Sequence, residues 1–91
     1  MNNLYAIITF DEYNDEIIDI DMTFDLETAK ADVQYEERIN HTCYKLDGAM
    51  YRTMLYRLPA EVTPEEFNKR PGYYIDYAED CFCYGELLDV A

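Results

Sequence analysis

The chain alternates between short apolar runs and polar, acid-rich breaks. Leu4-Tyr5-Ala6-Ile7-Ile8-Thr9-Phe10 is followed by Asp11-Glu12-Tyr13-Asn14-Asp15-Glu16, and then by a second apolar run from Ile17 to Met22. Period-two alternation puts Leu4, Ala6, Ile8 and Phe10 on one face of a strand and Tyr5, Ile7 and Thr9 on the other. Both faces are fairly apolar, which predicts a central strand. Asp11 to Glu16, with Asn14 inside it, reads as a turn. In the second run Ile18, Ile20 and Met22 face one way and Ile17, Asp19 and Asp21 the other. That is the pattern of a strand packed on one side and wet on the other. An antiparallel hairpin is the simplest pairing of the two.

A helix signal follows. The Asp25 carboxylate can accept amide protons left free in a first helical turn, with Thr23 as the weaker alternative cap. The helix is expected from Leu26 to about Asn40 or His41. It carries two apolar stripes. Leu26, Ala29 and Val33 form the stripe expected to lie on the sheet. Ala31, Tyr35, Ile39 and Cys43 form another on nearly the opposite side, which predicts a second contact, either with the C-terminal segment or with another molecule.

Asp47-Gly48 marks a turn. Ala49 to Leu58 reads as a third strand, with Met50, Met54, Tyr56 and Leu58 on one face and Arg52 interrupting it. Pro59 ends the strand, since it has no amide proton for a ladder. Thr63-Pro64-Glu65-Glu66 is a helix start, with Thr63 as cap, Pro64 in the first turn and Glu66 completing a capping box. Pro71-Gly72 is expected to stop that helix. From Tyr73 to Ala91, Tyr73, Ile75 and Tyr77 alternate with Tyr74, Asp76 and Ala78. This favours strands, with a turn at Glu79-Asp80 and a further strand through Cys81 to Tyr84. A helix with Tyr77, Cys81, Tyr84 and Leu88 on one stripe is the alternative, weakened by Gly85.

These elements predict a single α+β domain over residues 1–91, an antiparallel sheet with the Leu26–Asn40 helix across one face. A chain of 91 residues buries about 60–65% of its unfolded surface, enough for one core. No run reaches the roughly 18 apolar residues of a membrane-spanning helix. Met1-Asn2-Asn3 lacks the basic and apolar regions of a signal peptide. Three cysteines without framework spacing suit a reducing compartment. A cytoplasmic location is therefore expected.

Charge changes the picture most. Twenty acids against seven bases give −13, which disfavours direct contact with nucleic acid or an anionic membrane and favours a basic partner or a bound cation. The imbalance is local. Residues 1–29 hold eight acids and no base, residues 71–91 hold five acids and no base, and six of the seven bases lie between Arg38 and Arg70. Within the first hairpin, Asp11, Glu12, Asp15, Glu16, Asp19 and Asp21 crowd together. Asp19 and Asp21, two apart on one strand face, stand about 6.6 Å from each other. A DNA strand presents a phosphate about every 3.4 Å of axis. Carboxylates on a strand, its turn and a nearby helix can approach that spacing, so the cluster suits a decoy for a basic, DNA-binding groove.

Other chemistry fares less well. A calcium loop needs alternating oxygen ligands around a glycine, and Asp11 to Asp21 has neither. A two-carboxylate hydrolase needs its acids in a cleft. His41-Thr42-Cys43 and Cys81-Phe82-Cys83 could together offer four zinc ligands, but paired zinc cysteines are usually separated by roughly two to four residues. Cysteine acting as a small apolar residue is the simpler account. Gly48, Gly72 and Gly85 are isolated, so no phosphate loop is present. No catalytic residue, metal or cofactor is expected. Ten tyrosines without any tryptophan take on aromatic packing, and Tyr13 in the acidic turn suits an interface.

In size, charge and aromatic content the chain resembles small acidic inhibitors encoded by phages and mobile elements, among them anti-restriction, anti-CRISPR and uracil-glycosylase-inhibitor proteins. The likeness rests on the Asp11–Asp21 cluster and the acidic C-terminal third. It implies a non-enzymatic inhibitor, a DNA mimic acting in the host cytoplasm on a nucleic-acid-binding protein or nuclease complex. The residues expected at the contact are Asp11, Glu12, Tyr13, Asp15, Glu16, Asp19 and Asp21, with Asp76, Glu79 and Asp80. The alternative is a structural module that forms a homodimer or larger homo-oligomer through the second helix stripe.

Overall fold

The first apolar run, Tyr5–Asp11, forms strand β1, and its residues from Ala6 to Thr9 are buried without a break. It lies inside a four-stranded antiparallel sheet, in a computed structural model that describes residues 3–90. The other elements are β2 (Glu16–Thr23), α1 (Leu26–Asp47), β3 (Tyr51–Arg57), α2 (Pro64–Lys69), α3 (Pro71–Cys83) and β4 (Leu88–Asp89). Strand order is β2-β1-β3-β4. The domain is α+β, as the patterning predicts, with β1 central.

The two faces of β1 are covered by different elements. Leu4, Ala6 and Ile8 join Leu58, Val62, Tyr74 and Ala78 in the core, with Ile17, Ile20, Met22 and Phe82 packed against it. This face belongs to α2 and α3. Phe82 sits 5.5 Å from Phe10 and 6.0 Å from Tyr56, centroid to centroid. The other face belongs to α1. There Thr9 and Thr53, partners across the ladder, share a hydroxyl hydrogen bond of 2.8 Å, and the Asn40 side-chain amide donates to Thr53 Oγ1 at 2.9 Å. All three residues are buried. A buried polar group without a partner costs about 1–3 kcal/mol, so this bonded trio specifies how α1 sits on the sheet.

α1 begins and ends for readable reasons. Asp25 caps it by accepting from the Glu27 amide at 3.0 Å and the Thr28 hydroxyl at 2.9 Å. The helix runs past His41 to Asp47, further than expected. No residue from Thr42 to Leu46 breaks a helix. Gly48 closes it at φ 70° in the left-handed region, its amide donating to Tyr44 O. α2 starts as predicted, with the Glu66 amide donating to Thr63 Oγ1 at 3.2 Å. The Glu66 carboxylate, however, turns to Arg70, which donates to it from Nε at 2.9 Å.

The C-terminal stretch corrects the strand reading. Residues 71–83 form a helix, and only Leu88–Asp89 is strand, paired with Tyr56 and Arg57. Ala91 lies outside the described residues, as do Met1 and Asn2. Pro71 does not merely stop α2. It opens α3 from the first helical turn, where its missing amide proton is no loss. Tyr74, Ala78 and Cys81 recur at helical spacing and are the buried residues. The period-two alternation of tyrosines is real but short, and the uncovered face of β1 draws the longer 3.6-residue repeat onto itself. Gly85, at φ 68°, follows the helix rather than interrupting it. Among the described residues no helix is long and apolar enough to cross a membrane.

Ile8 is fully buried at the centre of the core. Ile8→Ala should lower the unfolding free energy by about 2–5 kcal/mol, read as a shift of the urea midpoint at an unchanged slope.

Candidate functional site

The acids of β2 are aimed by a β-bulge. Thr9 pairs with Asp19 but Phe10 pairs with Ile17, so Ile18 is the extra residue. The bulge reverses the expected facing of Ile17, which joins Ile20 and Met22 against the core, whereas Ile18 is 45% exposed. Beyond the bulge the ladder is one-to-one. Asp19 stands opposite Thr9 and Asp21 opposite Ile7, and cross-strand partners share a face. Both carboxylates therefore lie on the α1 side of the sheet. α1 packs chiefly over β3, with less contact on β2, which leaves these acids at an open margin.

Two further carboxylates stand within electrostatic reach of them. Asp32 and Glu36 are one helical turn apart on α1, and both act on Asp21. Partial burial pushes the Asp21 carboxyl above its ordinary value, and Asp19, Glu36 and Asp32 push it further. The ion pairs among the described residues, Lys30 with Glu27 and Arg70 with Glu66, lie elsewhere. The candidate site is thus Asp19, Asp21, Asp32 and Glu36, four acids without an ion-pair partner among the described residues. The hairpin cluster points to Asp19 and Asp21. Asp32 and Glu36 were missed, although their spacing of four along a helix that directly follows an acidic strand face is a readable signal.

The other expected contact residues divide into separate groups. Asp11 is buried and does a structural job: it accepts from the Tyr13 and Asn14 amides at 3.0 and 3.1 Å and from the Asn14 side chain at 2.6 Å. The Asn14 side chain and backbone, then Tyr13, hold its carboxyl below the ordinary range. Glu12, Tyr13 and Asp15 are exposed on the turn that Asp11 ties together, with Asp15 left-handed at φ 57°, and Glu16 is exposed at the start of β2. Asp76, Glu79 and Asp80 are exposed on α3, in the layer across the sheet from α1. The acidic C-terminal third therefore does not merge with the Asp19–Asp21 margin into one surface.

The histidine and cysteines do not converge either. His41 and Cys43 are on α1, while Cys81 and Cys83 are on α3, with the sheet between the two helices. His41 lines a hollow of about 360 Å³ together with Glu12, Glu37 and Tyr51. Among the described residues no three His, Cys, Asp or Glu side chains are placed to hold one metal ion. Cys81 is buried, and that burial pushes its thiol up, reinforced by the charges of Glu86 and Asp80 against an opposing hydrogen bond with Tyr77. It packs as an apolar residue does. The second stripe of α1 faces outward, with Tyr35 61% and Ile39 39% exposed. The C-terminal segment covers the other side of the sheet, so it is not the second contact for this stripe.

The acids should respond to pH with opposite signs. A carboxyl raised in the fold binds more protons folded than unfolded just above pH 3.8, so its contribution to stability falls as pH rises through that window. Asp21→Asn should therefore raise the melting temperature at pH 7, with the gain shrinking towards pH 4. Asp11 is lowered, so its contribution is present above 3.8 and lost as pH falls through its folded value. Asp11→Ala should lower the melting temperature at pH 7 and matter less in acid. Thermal melts across pH 3–7 check both. Comparison with known protein families, with characterised proteins and with solved structures found no match.

Proposed function

We propose that this protein is a non-enzymatic acidic inhibitor that occupies a basic, nucleic-acid-binding surface of a partner protein. The observation that carries the reading is the set Asp19, Asp21, Asp32 and Glu36, drawn from β2 and α1 on one side of the sheet and without an ion-pair partner among the described residues. Like charges held together work against folding. A surface groove evolved to bind phosphates offers the compensating charge, and a partner's lysines and arginines would release their own counterions on meeting it. Glu12 and Asp15 on the exposed turn, with Glu16 at the start of β2, extend the negative field and speed encounter. Tyr13, 84% exposed beside them, supplies rigid contact area of the kind that dominates many interfaces. A DNA mimic used by a phage against a host nuclease is one setting that fits this chemistry.

Capture from lysate of the source organism, after nuclease treatment, tests it. The expected result is a basic nucleic-acid-binding protein, released by added salt and competed off by duplex DNA. Reversing Asp19, Asp21 and Glu36 to lysine should weaken that complex by at least about tenfold, or 1.4 kcal/mol, in a still-folded protein. An affinity indifferent to salt and to these changes overturns the reading.

A second reading, self-assembly, is favoured by the outward stripe of α1, where Tyr35, Ile39 and Cys43 border a shallow hollow of about 270 Å³. Both large side chains are exposed, so Tyr35→Glu with Ile39→Glu should keep the fold. If the stripe is an assembly surface, the doubly substituted protein should sediment at a lower mass than the parent at the same concentration. Equal masses exclude it.

A further inference from the structure

The sheet ends at β2. Nothing among the described residues pairs with its outer side, since β2 stands first in the strand order and its ladder is with β1 alone. An open edge carries a row of backbone N–H and C=O groups and is a ready template for another strand. The stretch from Asp19 to Thr23 is the regular part of this edge, pairing residue for residue with Thr9 to Tyr5, and the Ile18 bulge bounds it on one side. Its two faces differ. Asp19 and Asp21 stand on the α1 side, near Asp32 and Glu36, while Ile20 and Met22 pack against the core on the α3 side.

We propose that the edge of β2 from Asp19 to Thr23 takes up an extended segment of a basic partner as an added antiparallel or parallel strand, with the segment's lysines or arginines on the side of Asp19 and Asp21 and its apolar residues on the side of Ile20 and Met22. The inference rests on the function proposed above and names how the partner is held. Backbone hydrogen bonds give such a complex its affinity, and alternate side chains give it specificity. Charge complementarity selects the occupant. A second copy of this chain, pairing β2 with β2 about Ile20, sets Asp19 of one against Asp21 of the other, and like charges directly opposite are destabilising. A basic strand reverses that sign and brings cations towards Asp32 and Glu36 as well. The sheet's other side is less suited. The outer side of β3 is open from Tyr51 to Leu55 but carries Arg52, and β4 covers its end at Tyr56 and Arg57.

The test uses two synthetic peptides at low salt. One alternates lysine and valine over seven residues. The other has the same sequence and charge but is N-methylated throughout, so its backbone has no amide donor. Titration gives affinity, and amide hydrogen exchange of the full-length protein reports where binding occurs. The expected result is that the first peptide slows exchange of fast-exchanging amides within Glu16–Thr23, and that the methylated peptide binds at least about tenfold more weakly. Asp19→Asn with Asp21→Asn should weaken the first peptide while leaving the protein folded. Equal binding of both peptides with unchanged β2 amides overturns the added strand but leaves the acidic-surface reading standing. Protection confined to β3, or β2 amides already slowed by self-association at high protein concentration, also overturns it. Binding of neither peptide removes the strand inference, and the captured partner's salt dependence then decides the broader reading separately.

Discussion

The structure depends on one demand: strand β1 must be covered on both faces. Its buried run alternates between two sets of side chains, Leu4, Ala6 and Ile8 on one side and Ile7 and Thr9 on the other. An isolated hairpin could not satisfy this, because each apolar face of a sheet needs a further layer to exclude water. α1 supplies one layer, and α2 with α3 supplies the other. Fully burying one large aliphatic side chain contributes about 1.5–3 kcal/mol, a large fraction of the net stability of about 5–15 kcal/mol usual for a domain. The pull of the uncovered face is therefore strong enough to decide the conformation of a segment whose local pattern is ambiguous.

The two layers are held by different chemistry. The α3 side is apolar and aromatic, with Phe82 between Phe10 and Tyr56 and with Phe67 between Phe24 and Tyr74. Such packing is strong but tolerant of small slides. The α1 side holds the Asn40, Thr53 and Thr9 hydrogen bonds, which are directional and permit one arrangement. That arrangement matters for the surface. It settles α1 mainly over β3, with Asp32 and Glu36 within electrostatic reach of Asp21 on β2.

The acidic margin and the sheet edge then become one feature. Natural sheets protect open edges with charges and bulges that discourage pairing with a copy of themselves. β2 has both, Ile18 as the bulge and Asp19 and Asp21 as the charges. Groups that oppose pairing with a second copy are the ones that would favour a cationic strand, so the proposed basic partner and the protection of this edge draw on one charge pattern.

Local chemistry determined much of this by itself. Alternation from Leu4 to Phe10 identifies a central strand, Asp25 and Thr63 identify helix starts, and the distribution of acids identifies the hairpin as the charged end of the chain. Each of these signals lies within a few residues, where backbone geometry and side chain are directly linked. Tertiary structure decided the rest. Tyr73 to Cys83 is helix because β1 had a second face to cover. Ile17 and Ile18 exchange sides because a bulge, invisible in alternation alone, shifts the register. Asp11 is a turn anchor because its neighbours' amides reach it. Asp32 and Glu36 join Asp19 and Asp21 only once α1 has docked. These outcomes depend on which distant groups meet, and a one-dimensional pattern carries no term for a contact between residues that the chain itself does not bring together.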